Sequence, residues 1–209
     1  MRKFLPFLLI LATLYLPSVV KAQEGGALVG SIGLGLTAAQ GDFADESIGY
    51  AAGSGFGIEG ELRYYLFGGF SLGGNINYMR FGSSYESSQG RISYNFSQMG
   101  GLVKMNFINI SKGKLYLTGG GGVFTPNAYV YSSSGSYGMS SDESGTYYFG
   151  GIGLISSTVM KTLYELEVRY NYARAENNLG YSVSDAWDFI YVGMKISFST
   201  KGNGSPPRY

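Results

Sequence analysis

The stretch Leu163-Tyr164-Glu165-Leu166-Glu167-Val168-Arg169-Tyr170-Asn171-Tyr172-Ala173-Arg174 alternates without a break. Tyr164, Leu166, Val168, Tyr170 and Tyr172 fall in one phase, and Glu165, Glu167, Arg169 and Asn171 in the other. A helix would spread both classes around its circumference, whereas a strand sends them to opposite faces. One face is then apolar and the other carries three charges that need partners. The core of the pattern, Glu-x-Glu-x-Arg-Tyr, recurs at Glu59, Glu61, Arg63 and Tyr64. There too the charges oppose apolar residues, here Phe56, Ile58 and Leu62.

Working outward, the same alternation appears at 27–37, with Leu28, Ile32, Leu34 and Leu36 in one phase, and at 70–81, with Phe70, Leu72, Ile76 and Tyr78. Further strands are expected at about 91–107, 114–125, 146–156 and 187–199, eight in all. In 91–107 the alternation changes phase near Gln98 to Gly101, which predicts a bulge. The connections alternate in length. Long polar stretches at 38–53, 82–90, 126–145 and 175–186 follow the odd-numbered strands, and short ones at 67–69, 108–113 and 157–162 follow the even-numbered. Long loops at one end and short turns at the other are the plan of outer-membrane barrels. Charge sorts the same way: the long loops hold Asp42, Asp45, Glu46, Glu86, Asp142, Glu143, Glu176 and Asp185, while the short turns and tail hold Lys112, Lys114, Lys161, Lys201 and Arg208.

Residues 1–22 have the layout of a cleaved secretory signal: Arg2 and Lys3, an apolar run from Phe4 to Leu16, then Val20-Lys21-Ala22 before Gln23. The run is short for a membrane-spanning helix, and Pro17 ends it. The expected organisation is a signal at 1–22, a barrel domain at 23–198 and a flexible periplasmic tail at 199–209. Without 1–22 the chain has 12 basic and 14 acidic side chains, a net charge of −2. That balance lacks the basic excess of a nucleic-acid binder. The absence of Cys rules out a disulfide framework.

The last strand reads Tyr191-Val192-Gly193-Met194-Lys195-Ile196-Ser197-Phe198. It resembles the C-terminal assembly signal of outer-membrane barrels, with Tyr191, Gly193, Ile196 and Phe198 at the positions read by the barrel-insertion machinery. In that family the aromatic usually ends the chain, whereas here residues 199–209 follow. Residues 26–198 as a whole resemble the small eight-stranded OmpA/OmpX-type barrels. The resemblance implies an all-β, antiparallel, up-and-down transmembrane barrel in a bacterial outer membrane, with lipid, lipopolysaccharide and the assembly machinery as partners. For some relatives it implies adhesion or envelope integrity.

Charges facing hydrocarbon would cost about 2–4 kcal/mol for Arg or Lys at mid-depth, so they are expected to point inward. The lumen set is then Glu59, Glu61, Arg63, Glu165, Glu167 and Arg169, joined by Lys104 and Lys195. With one repeat running down and the other up, Arg63 should lie level with Glu165 and Glu59 with Arg169. Glu61 and Glu167 should share a middle level, neutralised by Lys104 or Lys195. Such a set forms either an ion path or a salt-bridged plug, and a small barrel's narrow interior favours the plug.

The chain has no His and no Cys, which removes Ser-His and Cys-His nucleophiles and the usual zinc ligands. Barrel proteases, phospholipases and lipid A-modifying enzymes rely on a His, so no catalytic residue and no cofactor is expected. Gly33-Leu34-Gly35-Leu36-Thr37-Ala38 matches a dinucleotide fingerprint in letters only, because no helix is expected after it. Gly119 to Gly122 lacks the Lys-Ser/Thr of a phosphate loop. Asp42, Asp45 and Glu46 are weak metal candidates without calcium-loop spacing. The 126–145 loop, with Tyr129, Tyr131, Tyr137 and seven Ser from Ser132 to Ser144, has a recognition-surface composition suited to an extracellular protein or glycan. Two other functions stay open: a narrow pore through the charged lumen, and a secreted soluble barrel that binds an apolar ligand.

Overall fold

A computed structural model describes residues 26–45, 51–67, 69–83, 91–110, 113–132, 135–140, 144–157, 162–175 and 186–200. Residues 1–25, residues 201–209 and much of the loops lie outside them, and with them the expected signal at 1–22. The strands are β1 (Leu28–Gln40), β2 (Ala52–Phe67), β3 (Phe70–Ser83), β4 (Arg91–Ile110), β5 (Gly113–Ser132), β6 (Gly135–Ser140), β7 (Gly145–Ser157), β8 (Thr162–Arg174) and β9 (Asp188–Ser199).

Apart from β6, each strand pairs antiparallel with its neighbours, and β1 closes the sheet against β9. The result is an eight-stranded up-and-down barrel. Phe70 pairs with Met105, then through Leu117, Ile152, Val168, Val192, Leu36 and Phe56 the ladder returns to β3 at Arg80. The circuit therefore climbs ten residues, which is the shear of the barrel and tilts its strands by roughly 40°.

Alternation assigns the faces as expected. Outward side chains form an apolar belt in which Ile32, Leu36 and Met194 are 67%, 72% and 70% exposed. Outward aromatics border the belt: Phe56, Tyr78, Tyr148 and Tyr172 near the loop end, Tyr64, Phe67, Tyr164 and Phe198 near the turn end. On β8 the span from Tyr164 to Tyr172 is nine residues, the length a tilted strand needs to cross hydrocarbon.

Two expectations are corrected. No bulge interrupts Gln98 to Gly101, because the ladders to β3 and β5 run through them unbroken. The apparent phase change arises because the inner face itself changes character: Tyr94 and Phe96 point inward in the same phase as Gln98, Leu102 and Lys104. The irregularity lies lower, between Asn106 and Ile108. Secondly, 126–145 is not wholly loop. β5 runs on to Ser132 and turns back as β6, pairing Asn127 with Ser140 and Ser132 with Gly135. At the turn end, Gly69 adopts φ +86 between β2 and β3, a conformation that suits glycine. Beyond Phe198, Ser199 still pairs with Val29 and the Thr200 amide donates to the Leu28 carbonyl at 2.9 Å, so the ladder outlasts the expected start of the tail.

Candidate functional site

All eight charged residues of the expected lumen set are buried inside the barrel. They come from β2, β4, β8 and β9, which carry them in the inward phase between lipid-facing neighbours. At the lowest level Arg63 pairs with Glu165, whose Oε1 also accepts from Ser197 Oγ at 2.6 Å. Lys104 Nζ lies 2.9 Å from Glu61, 3.0 Å from Glu165 and 3.2 Å from Glu167. Lys195 Nζ contacts Glu61, Glu59 at 3.1 Å and Glu167 at 3.0 Å. At the top Arg169 Nη1 lies 2.7 Å from Glu59 and 3.3 Å from Glu167. The depth order is the one the two repeats imply, and the middle carboxylates are served by both lysines. Four carboxylates and four cations leave the set neutral, and neutrality is what makes burying it tolerable.

Glu59, Glu61 and Glu167 present oxygens within 4.8 Å of one another, close enough to hold a metal ion. The Lys195 ammonium contacts all three. It acts as their resident cation, so the donor set does not fit a metal in this chain. The weak candidates at the loop end fare differently: Asp42 and Asp45 are exposed beside a 3-10 turn (Gly41–Ala44), and Glu46 lies outside the described residues.

Aromatic rings frame the charges. The Arg169 guanidinium lies between Tyr191 and Phe149, 4.4 and 5.0 Å from their centroids. Lys104 sits 4.8 Å from the Tyr116 ring, whose hydroxyl donates to Glu167 at 2.8 Å. These contacts let a buried cation share its field with a ring quadrupole as well as with carboxylates.

The feature missed by the sequence reading lies above this network. Phe43, Phe81, Tyr94, Phe96, Phe124, Trp187 and Phe189 are buried together at the loop end of the lumen. Phe43, carried in by the 3-10 turn, lies 4.9 Å from Trp187 and 5.2 Å from Phe81, centroid to centroid. The barrel is thus charged at mid-depth and capped by rings. A signal was present: Tyr94 and Phe96 share parity with Lys104, and Phe189 with Lys195, so placing the lysines inside also places the rings inside.

The assembly-signal residues divide by face. Ile196 and Phe198 point outward, and Tyr191 and Gly193 inward. The Tyr191 ring folds back over Gly193 and across to Gly35, where a Cβ on either glycine would collide with it. Of the loop tyrosines, Tyr129 is 38% exposed. Register sets Tyr129 opposite Gly138 and Tyr131 opposite Ser136, but Tyr137 opposite Val130.

Structure and lining together define the class: this chain has the fold of the small eight-stranded outer-membrane barrels, here with a filled lumen. No protein-family model matches the sequence, and no curated protein matches it. Among solved structures it is similar to Neisserial surface protein A, with 15% identity, a TM-score of 0.54, and 83% of this chain and 96% of that one covered. It is also similar to Ail, the attachment invasion locus protein of Yersinia pestis, with 15% identity, a TM-score of 0.52, and coverage of 84% and 100%.

Proposed function

We propose that this protein is a closed barrel of a bacterial outer membrane that anchors its long loops at the cell surface, for adhesion or envelope integrity, and is not an enzyme. The observation that carries the reading is the pairing of an outward apolar belt with a filled interior. A soluble barrel would leave the belt in water, at roughly 25 cal/mol per Å² of apolar surface. The neutral network and ring cap give a solute no continuous polar path, which favours a plug over a pore. The absence of His and Cys supports a non-catalytic role. With belt and lumen occupied by structure, specific recognition falls to the loops, and their Tyr, Ser and Gly content suits an extracellular protein or glycan. That both similar folds belong to a surface or an attachment protein is in keeping with this.

The test replaces residues 129–143 with a short Gly/Ser linker in cells producing the protein. Membrane fractions should still hold a folded barrel that migrates differently unheated than boiled, while attachment to host cells or matrix falls. A wild-type protein recovered only in the soluble fraction would overturn the reading.

A further inference from the structure

At the turn end of the barrel the chain itself ties β2 to β3, β4 to β5 and β7 to β8. β1 and β9, the first and last strands, meet there with no connection. A sheet end without a turn frays readily, because each opened rung costs only its own hydrogen bonds. The last paired positions are Val29 and Ser199, and Leu28 faces Thr200 one step below. Leu28 also lies opposite Tyr64 of the turn-end aromatic border. An amide left without a partner at that depth is costly.

At this step a side chain enters the ladder. The Thr200 amide donates to the Leu28 carbonyl at 2.9 Å, as the register requires. The Leu28 amide donates in turn to Thr200 Oγ1 at 3.2 Å, where a continuing ladder would offer the Thr200 carbonyl. The same hydroxyl donates to the Leu28 carbonyl at 3.3 Å. The chain bends at Thr200, so the backbone leaves the sheet at the residue whose side chain completes it. Further up, the seam is tied again inside the barrel. There Ser31 Oγ and Ser197 Oγ lie 2.7 Å apart, and Ser197 donates to Glu165 at 2.6 Å.

We infer that Thr200 is the latch of the barrel seam. Its hydroxyl holds β1 to β9 where no turn joins them, and lets the following chain depart without leaving the Leu28 amide unpaired. Ser supplies the same hydroxyl, whereas Val keeps the shape of Thr and supplies neither donor nor acceptor. Loss of the hydroxyl opens the seam only as far up as the Ser31–Ser197 bond. It opens from the β9 side alone, because the Tyr65 amide still binds the Ala27 carbonyl at 2.9 Å and keeps β1 on β2. The role is separate from that of Phe198, which points outward into the belt.

The test uses the refolded barrel in detergent micelles, with amide hydrogen exchange read residue by residue by NMR. Thr200→Val should speed exchange of the Leu28 amide roughly ten-fold, the net worth of one hydrogen bond. The Tyr65 amide, and that of Ile32, which pairs with Ile196 above the Ser31–Ser197 bond, should keep their wild-type rates. Thr200→Ser should restore slow exchange at Leu28. A Val29→Cys/Ser199→Cys pair, at facing ladder positions, should replace the latch when oxidised. In the Thr200→Val background it should return Leu28 to slow exchange, and reduction should undo this. If Thr200→Val alone does not fold, refolding with the oxidised pair should give back the heat-shifted band. Unchanged Leu28 exchange in a folded Thr200→Val overturns the latch, as does a Thr200→Ser that behaves like Thr200→Val. Equal acceleration at Leu28, Tyr65 and Ile32 overturns it too, since that marks a general loss of stability. So does an unfolded Thr200→Val that the disulfide fails to rescue.

Discussion

At the scale of single residues, Lys195 decides how the lumen is neutralised. Its ammonium is shared by Glu59, Glu61 and Glu167, so Lys195→Met removes the cation that reaches all three, leaving Lys104 to Glu61 and Glu167 and Arg169 to Glu59 and Glu167. Leaving buried carboxylates without their cation should cost about 3–5 kcal/mol. Urea unfolding in lipid vesicles, followed by the heat-shifted band, measures it. The double variant Lys195→Met/Glu61→Gln, which restores the charge balance, should recover part of that loss. Gly193 makes a second test. A Cβ there meets the Tyr191 ring, so Gly193→Val should cost about 1–3 kcal/mol by overpacking. Gly193→Val/Tyr191→Ala should fold better than Gly193→Val alone, since the colliding ring is gone. If the double variant folds no better, glycine at this position serves insertion and not interior packing.

At the scale of elements, the 3-10 turn after β1 does more than connect. Gly41 at φ +56 starts it, and Phe43 is thereby set into the ring cluster. Phe43→Ala should cost about 3–5 kcal/mol if the cap packs like an ordinary core. It should also shift the emission of Trp187, the one tryptophan, to longer wavelength as water reaches the indole. An unchanged emission maximum would show that Phe43 does not shield the indole. The β5–β6 hairpin stands apart from this. β6 pairs with β5 alone among the described strands, so its replacement should leave urea stability within about 0.5 kcal/mol of wild type. The two elements thus separate: one loop end is part of the core, the other is an appendage.

The parts read correctly from the sequence were those with strict parity. From Tyr164 to Tyr172 on β8 and from Phe56 to Tyr64 on β2 the charges and the large apolar residues keep opposite phases, so face, register sense and depth order follow from the letters. Parity read less well in β4, where Tyr94 and Phe96 point inward although Phe56, Tyr64, Tyr164 and Tyr170 on the cleaner strands point outward. The error came from assuming one chemistry for the whole inner face. Likewise 126–132 reads as loop because Ser and Tyr there have no apolar alternation to declare a strand, yet pairing with β4 extends it.

At the scale of the whole molecule, the lumen is filled in two storeys, rings above ions, behind an outward apolar belt. Planar-bilayer recording should show no stable conductance steps for the wild type. Phe43→Ala should stay closed too, because the ion network beneath the cap still fills the bore. Reproducible open-channel steps from the wild type would contradict the closed barrel.

The sequence by itself determined the strand phases, the two-faced wall, the ends of the barrel and the identity and pairing order of the lumen charges. Those follow from a period of two and from the cost of putting charge in hydrocarbon, both local properties. The tertiary structure alone decided what fills the mouth and that both lysines share the middle carboxylates. Those depend on the ten-residue climb of the closed ladder, which brings together residues far apart in sequence and which no single strand encodes.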